Sequence, residues 1–306
     1  MQRHESIANI QMRVSLKGYS IGTCAHPRPL RCWPWQRHLS QHYQVAKAAS
    51  REWFTGFQAF DPKSQDAFNR CDFARCRTCC DLMTLFYAFD EYTDVAGETS
   101  TRQMADMLVD EVRNPDKPRP QGECLLGEMA RQFWASGRRT ATPMAERHFI
   151  ETMQLYVDAV VQQSEDPTHD RLRTIDSYWE VRRYTSGCLP SFALIELELD
   201  FLEDVYQHPL LERLRDCAMY IVTASNDLYS CNLDLGPQAA ADLIHSWMDG
   251  IVWAFVRCRT ALPSWGGDGG QVARYVEGLA RDVEGLSRWV RGNGDWSFEG
   301  QATLAL

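Results

Sequence analysis

The segment from Asp81 to Asp94 decides the fold, and it reads Asp-Leu-Met-Thr-Leu-Phe-Tyr-Ala-Phe-Asp-Glu-Tyr-Thr-Asp. Its large apolar residues recur at intervals of three and four: Leu82, Leu85, Phe86 and Phe89. Residues at these intervals share one face of an α-helix. The segment therefore predicts a helix with one buried face, and this helix ends in a group of acidic residues.

The same helical spacing of apolar residues continues through most of the chain on both sides of this segment. It predicts further long helices at Gly122–Ser136, Pro143–Ser164, His169–Arg183, Ser191–Tyr206, Pro209–Leu228, Gln238–Ala261 and Gly270–Arg291. Short breaks rich in Gly, Pro, Asp and Asn separate them. We identify no competing strand pattern, so the predicted fold class is all-α.

Residues 1–40 differ from the rest of the chain. Pro27, Pro29 and Pro34 lie close together there, after Gly18 and Gly22. These residues disfavour regular helices. We predict an irregular N-terminal segment over 1–40 and a single α-helical domain over 41–306.

Composition and charge exclude several classes of protein. The chain has 306 residues, 44% of them hydrophobic, and a net charge of −9. An acidic protein is not suited to nucleic acid, whose backbone requires a basic surface. No apolar run is long enough for a signal peptide or a membrane anchor. We therefore expect a cytoplasmic protein that requires metal ions to bind an anionic substrate; the oligomeric state cannot be predicted from the sequence.

The acidic helix end is the first candidate site. Asp90 and Asp94 are four residues apart and share a helical face, and Glu91 lies three residues before Asp94. Three carboxylates this close repel one another unless a cation lies between them, and Mg²⁺ prefers carboxylate oxygens. The alternative interpretation is a solvated acidic helix end.

The second candidate site follows an apolar run that ends near Val222. Asn226, Ser230 and Asp234 are spaced by four and form one polar stripe over two helical turns. An amide, a hydroxyl and a carboxylate suit a metal ion that is shared with a diphosphate. The alternative is a polar helix face with a local cap.

The third candidate site is the stretch from Val181 to Pro190. Gly187 and Pro190 predict a break in a helix, and Arg183 stands just before it. An arginine in this position can bind a phosphate through two hydrogen bonds. The alternative is an ordinary helix C-terminus whose basic residues complement the helix dipole.

Together these three motifs resemble the class I terpene synthases, particularly the fungal sesquiterpene cyclases. Residues 90–94 are similar to the aspartate-rich motif of that family, and Asn226, Ser230 and Asp234 to its second metal triad. Arg183, Ser186 and Gly187 resemble its diphosphate sensor, linker and effector. The resemblance extends from Trp33 to Glu299. It implies a class I terpene synthase-like helical bundle around a central cavity.

The resemblance also implies a function and a cofactor. Three Mg²⁺ ions and Arg183 would remove the diphosphate from a prenyl diphosphate such as farnesyl diphosphate, and the resulting cation would cyclise to a sesquiterpene. Aromatic faces would stabilise that cation, and the candidates are Phe86, Phe89 and Trp179. Plain core packing is the alternative role for each ring. A chain-elongating prenyltransferase would have a second aspartate-rich motif in place of the Asn226 triad.

The sequence departs from the family pattern in several positions. Leu233 replaces a basic residue beside the last metal ligand, and Ala302 and Thr303 stand where the family has an Arg-Tyr pair. The segments after Phe73 and after Asp234 are shorter than in the family. These departures favour, as the alternative function, a truncated or degenerate homologue that is catalytically impaired or inactive.

Overall fold

The computed structural model describes residues 33–35, 42–59, 77–165, 175–230 and 237–292, and the described residues are helical without a β-strand. They form eleven α-helices: α1 (Tyr43–Thr55), α2 (Arg77–Asp94), α3 (Glu98–Arg113), α4 (Leu125–Gly137), α5 (Pro143–Glu165), α6 (Ile175–Thr185), α7 (Cys188–Ala193), α8 (Glu203–Tyr206), α9 (Pro209–Ser230), α10 (Pro237–Thr260) and α11 (Gly269–Gly292). The predicted all-α class is confirmed. None of these helices is both long and apolar enough to span a membrane.

Two clusters of buried side chains form the core. Helices α1 to α5 supply most of the first cluster, which contains Phe89, Trp134 and Phe149. Helices α7 to α11 supply most of the second, which contains Phe255 and Tyr275. Helix α5 contributes to both clusters, and α6 and α7 pack against it. These three helices therefore connect the two halves of the bundle.

The N-terminal segment that we predict to be irregular lies outside the described residues, except for 33–35. Trp33 is buried against the second cluster, where its indole N–H donates a hydrogen bond to the carbonyl of Ala280 at 3.1 Å. Trp35 donates to Glu277 at 2.9 Å. This short piece is thus fastened to helix α11.

The predicted helix Ser191–Tyr206 is wrong in its middle. Helix α7 ends at Ala193, a 3₁₀ turn covers Leu194–Glu196, and α8 begins only at Glu203. The stretch from Leu197 to Leu202 is irregular: it begins with a turn in which the backbone N–H of Leu199 donates to the carbonyl of Glu196 at 2.8 Å, and no helix covers 199–202. Neighbouring elements satisfy its backbone, since Thr142 and Gln271 hydrogen-bond to residues of this stretch.

The predicted helix break is present and lies at Gly187. Helix α6 ends at Thr185, Gly187 has a φ of +67°, and α7 begins at Cys188. A Cβ atom on Gly187 would lie 2.9 Å from Cε2 of Phe86. Glycine is required here because both the left-handed backbone and the close approach of an aromatic ring exclude a side chain. Pro190 is accommodated in the first turn of α7.

Candidate active site

The acidic motif lies at the C-terminal end of helix α2. Oδ1 of Asp90 accepts a hydrogen bond from the hydroxyl of Tyr156, on α5, at 3.2 Å. Asp90 is accessible to solvent, yet its carboxylate is desolvated by the surrounding protein. Glu91 is half-buried and Asp94 is exposed.

The acidic side chains at this helix end disfavour one another's ionised form. Burial raises the pKa of Asp90 to about 7, and the neighbouring Asp94 and Glu91 add to the effect, although the Tyr156 hydroxyl and Arg182 oppose it. Burial also raises the pKa of Glu91 and of Asp94. A cation near these carboxylates would favour their charged forms. The electrostatics of this helix end therefore fit a metal ion.

The metal-binding groups at this helix end do not form a complete cage. Among the described residues, no three His, Cys, Asp or Glu side chains converge on one point. Mg²⁺ commonly binds to one or two carboxylates and fills its other positions with water and phosphate oxygens. The arrangement fits an ion shared with a phosphate ligand.

Asn226 and Arg182 connect helices α9 and α6. Nη2 of Arg182 donates a hydrogen bond to Oδ1 of Asn226 at 2.8 Å. Burial raises the pKa of Asp90, of Tyr156 and of Cys188, and the positive charge of the same guanidinium partly opposes each rise. Arg182 thus links Asn226 electrostatically to the acidic motif, from which Asn226 is 136 positions away in the sequence.

Arg183 has different surroundings from Arg182. Its Nη2 atom donates to Oδ1 of Asp216 on α9 at 2.9 Å, and its guanidinium lies 5.1 Å from the ring centroid of Tyr184. Consecutive residues on a helix point about 100° apart. The role of Arg183 as a diphosphate sensor stays a prediction, and the arginine that hydrogen-bonds to a candidate metal ligand is Arg182.

Ser186 and Gly187 form the break between α6 and α7. The Ser186 hydroxyl donates to the carbonyl of Arg183 at 3.3 Å and accepts from the backbone N–H of Cys188 at 3.3 Å. Ser186 therefore bridges the end of one helix and the start of the next. This local arrangement fixes the direction in which α6 presents its last turn.

The three predicted aromatic residues occupy different places. Phe86 packs against Gly187 and against Tyr156, whose ring centroid is 4.5 Å away, so it lies beside the break between α6 and α7. Phe89 is completely buried in the first core cluster. Trp179 stacks on Trp247 at 5.1 Å and meets Tyr220 edge-on at 5.4 Å, on the same side of α6 as Arg183.

The side chains of two members of the second metal triad lie outside the described residues. Ser230 is the last residue of α9, one turn beyond Asn226, but its side chain is outside the described set. Asp234 and its neighbour Leu233 lie outside the described residues. The same holds for Ala302 and Thr303.

Sequence reasoning missed Tyr156 and did not single out Arg182. Tyr156 lies on an apolar face of α5 beside Met153 and Val157, where a buried tyrosine has no sequence signal that separates it from the core. The signal for Arg182 is its spacing. Trp179 and Arg183 are four residues apart and therefore share one face of the helix, whereas Arg182 points in a different direction.

Comparisons with known proteins identify the family. Residues 81–249 match the model for terpene synthase family 2, C-terminal metal binding. A Δ(6)-protoilludene synthase of Hypholoma sublateritium is 37% identical over 310 residues, covering 95% of this chain and 93% of that protein. Sesquiterpene synthase 14 of Postia placenta is 38% identical over 242 residues, covering 75% and 68%. The chain belongs to the terpene synthase family.

A solved structure agrees with the fold. Linalool/nerolidol synthase from Streptomyces clavuligerus, in complex with 2-fluorogeranyl diphosphate, superposes with a TM-score of 0.73 at 17% sequence identity. The match covers 85% of this chain and 98% of that one. The predicted class I terpene synthase-like fold is confirmed, as is the resemblance to the fungal sesquiterpene cyclases.

Proposed function

We propose that this chain is a Mg²⁺-dependent sesquiterpene synthase that ionises and cyclises farnesyl diphosphate. One observation carries the proposal: the guanidinium of Arg182 hydrogen-bonds to Asn226, in one candidate metal motif, and its charge acts on Asp90, in the other. A diphosphate bridged by metals requires ligands on two facing walls and a cationic side chain between them. The sesquiterpene synthases among its relatives support the choice of a C15 substrate.

The chain's own groups have distinct tasks in this proposal. Asp90, Glu91 and Asp94 would hold metal on one wall, and Asn226, Ser230 and Asp234 on the other. Three Mg²⁺ ions would supply charge that stabilises the departing diphosphate. Phe86 borders the space in which the allylic cation would form, and an aromatic face stabilises such a cation. The closely packed core around Phe89 would exclude water.

The test is the release of diphosphate and the identity of the hydrocarbon. The protein is incubated with geranyl, farnesyl and geranylgeranyl diphosphate in the presence of Mg²⁺ or EDTA, and products are read by gas chromatography with mass spectrometry. We expect a cyclic C15 product that depends on Mg²⁺. Asp90→Ala and Asn226→Ala should each lower turnover by at least ~100-fold, since each removes a metal contact in a desolvated site.

The matched control is Asp106→Ala, which removes an exposed carboxylate on α3. It should leave turnover unchanged, and circular dichroism should be the same for all variants. A wild-type rate in Asp90→Ala or Asn226→Ala would remove that residue from the ligand set. No diphosphate release from any substrate would instead favour the inactive homologue to which Leu233, Ala302 and Thr303 point.

A further inference from the structure

The hydrogen bond between Arg182 and Asn226 involves the one atom through which an asparagine side chain binds a metal. Oδ1 of Asn226 accepts from Nη2 of Arg182 at 2.8 Å. The amide nitrogen carries two hydrogens and cannot bind a cation. In this structure, the guanidinium therefore stands where a metal ion bound to Asn226 would place its own positive charge.

The neighbouring arginine, Arg183, has a different hydrogen-bond partner from Arg182. Arg183 is one residue further along α6, and its guanidinium binds the carboxylate of Asp216. Arg182 donates instead to the side-chain amide oxygen of Asn226. The positive charge of Arg182 also opposes the rise in the pKa of Asp90 and of Tyr156 that burial causes.

The guanidinium of Arg182 and a metal ion cannot both bind Oδ1 of Asn226 closely, because like charges repel in a site of reduced dielectric. A guanidinium also binds a diphosphate better than an amide, since it can form two charge-assisted hydrogen bonds with phosphate oxygens. The geometry therefore favours an exchange of partners when the ligand arrives.

We infer that Arg182 is a resident cation that occupies Asn226 in the metal-free protein and transfers to the diphosphate when metal ions bind. The inference rests on the proposed function, because it requires Asn226 to be a metal ligand. It gives Arg182 two effects of opposite sign. Arg182 competes with Mg²⁺ at Asn226 when diphosphate is absent, and it strengthens diphosphate binding when Mg²⁺ is present.

The experiment measures these two affinities separately by calorimetry on the full chain. The first titration adds Mg²⁺ alone, and the second adds inorganic diphosphate at saturating Mg²⁺. Arg182→Gln should bind Mg²⁺ about threefold or more tightly than the wild type, because the competing charge is gone. The same variant should bind diphosphate about tenfold or more weakly, because charge-assisted hydrogen bonds are lost. A residue with a merely structural role would change both affinities in the same direction.

Arg183→Gln is the matched comparison, since it removes the same charge from the adjacent position. If Arg183→Gln shows the pattern of opposite signs and Arg182→Gln does not, the inference is overturned. It is also overturned if Arg182→Gln weakens both ligands or leaves Mg²⁺ affinity unchanged. Should Arg182→Gln fail to fold, Arg182→Lys replaces it. The lysine keeps the charge but not the planar fork, so diphosphate affinity should fall while Mg²⁺ affinity stays near the wild-type value, and a loss of both would overturn the inference.

The outcome separates this inference from the proposed function. A wild-type chain that binds both ligands with the expected pattern but releases no diphosphate from any substrate would sustain the exchange and refute the activity. A wild-type chain that binds neither Mg²⁺ nor diphosphate would refute both.

Discussion

The hydroxyl of Tyr156 lies 3.2 Å from Oδ1 of Asp90, and this contact joins helix α5 to the acidic end of helix α2. Tyr156 is buried, and its ring packs on Phe86 and Phe89 at centroid distances of 4.5 and 5.9 Å. The tyrosine is therefore rigidly held, and it orients the carboxylate that the sequence marks as a metal ligand. A partner that orients a ligand strengthens metal binding without touching the metal.

Tyr156→Phe should raise the Mg²⁺ concentration required for half-maximal turnover by about tenfold, because loss of such an orienting partner typically costs that much in metal affinity. The ring is retained, so thermal stability should change little. Steady-state rates at varied Mg²⁺ measure the effect. Tyr220→Phe, which removes a hydroxyl from the side of α9 near Trp179, should leave the Mg²⁺ dependence as it was. Identical curves for Tyr156→Phe and the wild type would show that Asp90 needs no orienting hydroxyl.

Gly187→Ala should lower the free energy of unfolding by about 1–3 kcal/mol, because the left-handed backbone disfavours a side chain. The added Cβ would also meet Phe86 at 2.9 Å. Urea denaturation measures the loss. Gly250→Ala is the control of opposite sign, since it lies within helix α10 with no atom within 4 Å of the new Cβ, and it should stabilise by up to about 1 kcal/mol. A neutral Gly187→Ala would mean that the helix break tolerates a side chain.

The stability of the protein should depend on His148, which is buried between two acids. Nδ1 lies 2.6 Å from Glu196, and Nε2 lies 3.3 Å from Glu203. Burial alone would lower the pKa of His148, but the hydrogen bond and charge of Glu196, assisted by Glu203, raise it overall. Glu196 is itself buried, and protonated His148 compensates its negative charge, so the folded state favours the pair with the proton on His148.

The sign of the pH dependence follows from these shifts. The folded state holds the His148 proton more tightly than the unfolded state, in which the pKa is about 6.5. The stabilisation is therefore complete below that pH and is lost as the pH rises through the folded-state pKa. Urea denaturation between pH 6 and 8.5 should show the free energy of unfolding falling with pH, and His148→Gln should flatten the decline. Parallel curves for the two proteins would assign the decline to other groups, such as Asp90, whose pKa burial raises to about 7.

The departures from the family pattern predict weak closure over the diphosphate. We expect slow turnover, loose diphosphate affinity and some hydroxylated product formed by entering water. Leu233→Lys combined with Ala302→Arg and Thr303→Tyr should raise diphosphate affinity by about tenfold or more, since each charge-assisted hydrogen bond contributes about 1.5–3 kcal/mol. Calorimetry and product yield measure the change.

A control for this restoration adds side-chain length without charge, namely Leu233→Gln with Ala302→Gln and Thr303→Phe. If it matches the charged variant, or if the parent chain already turns over like its relatives, the closing role of these positions is wrong. If both chains are inactive, the shortened segments after Phe73 and after Asp234 become the better explanation.

The sequence by itself determined the helical class and the positions of the motifs. The apolar spacing from Leu82 to Phe89 is a local property, because one buried face of a helix requires it whatever lies opposite. The break at Gly187 is local too, since a left-handed backbone there depends on glycine alone. The irregular stretch from Leu197 to Leu202 was missed because its hydrogen-bond partners, Thr142 and Gln271, are remote in the sequence.

Only the tertiary structure decided which side chains meet. Arg182 and Arg183 are adjacent and chemically identical, and the neighbours opposite each one distinguish them: Asn226 for the first and Asp216 for the second. From the sequence, Tyr156 is predicted to be a core residue, and it contacts Asp90 only because α5 packs beside α2. A sequence specifies the faces of its helices through local periodicity, whereas contacts across the bundle depend on how helices far apart in the chain pack together.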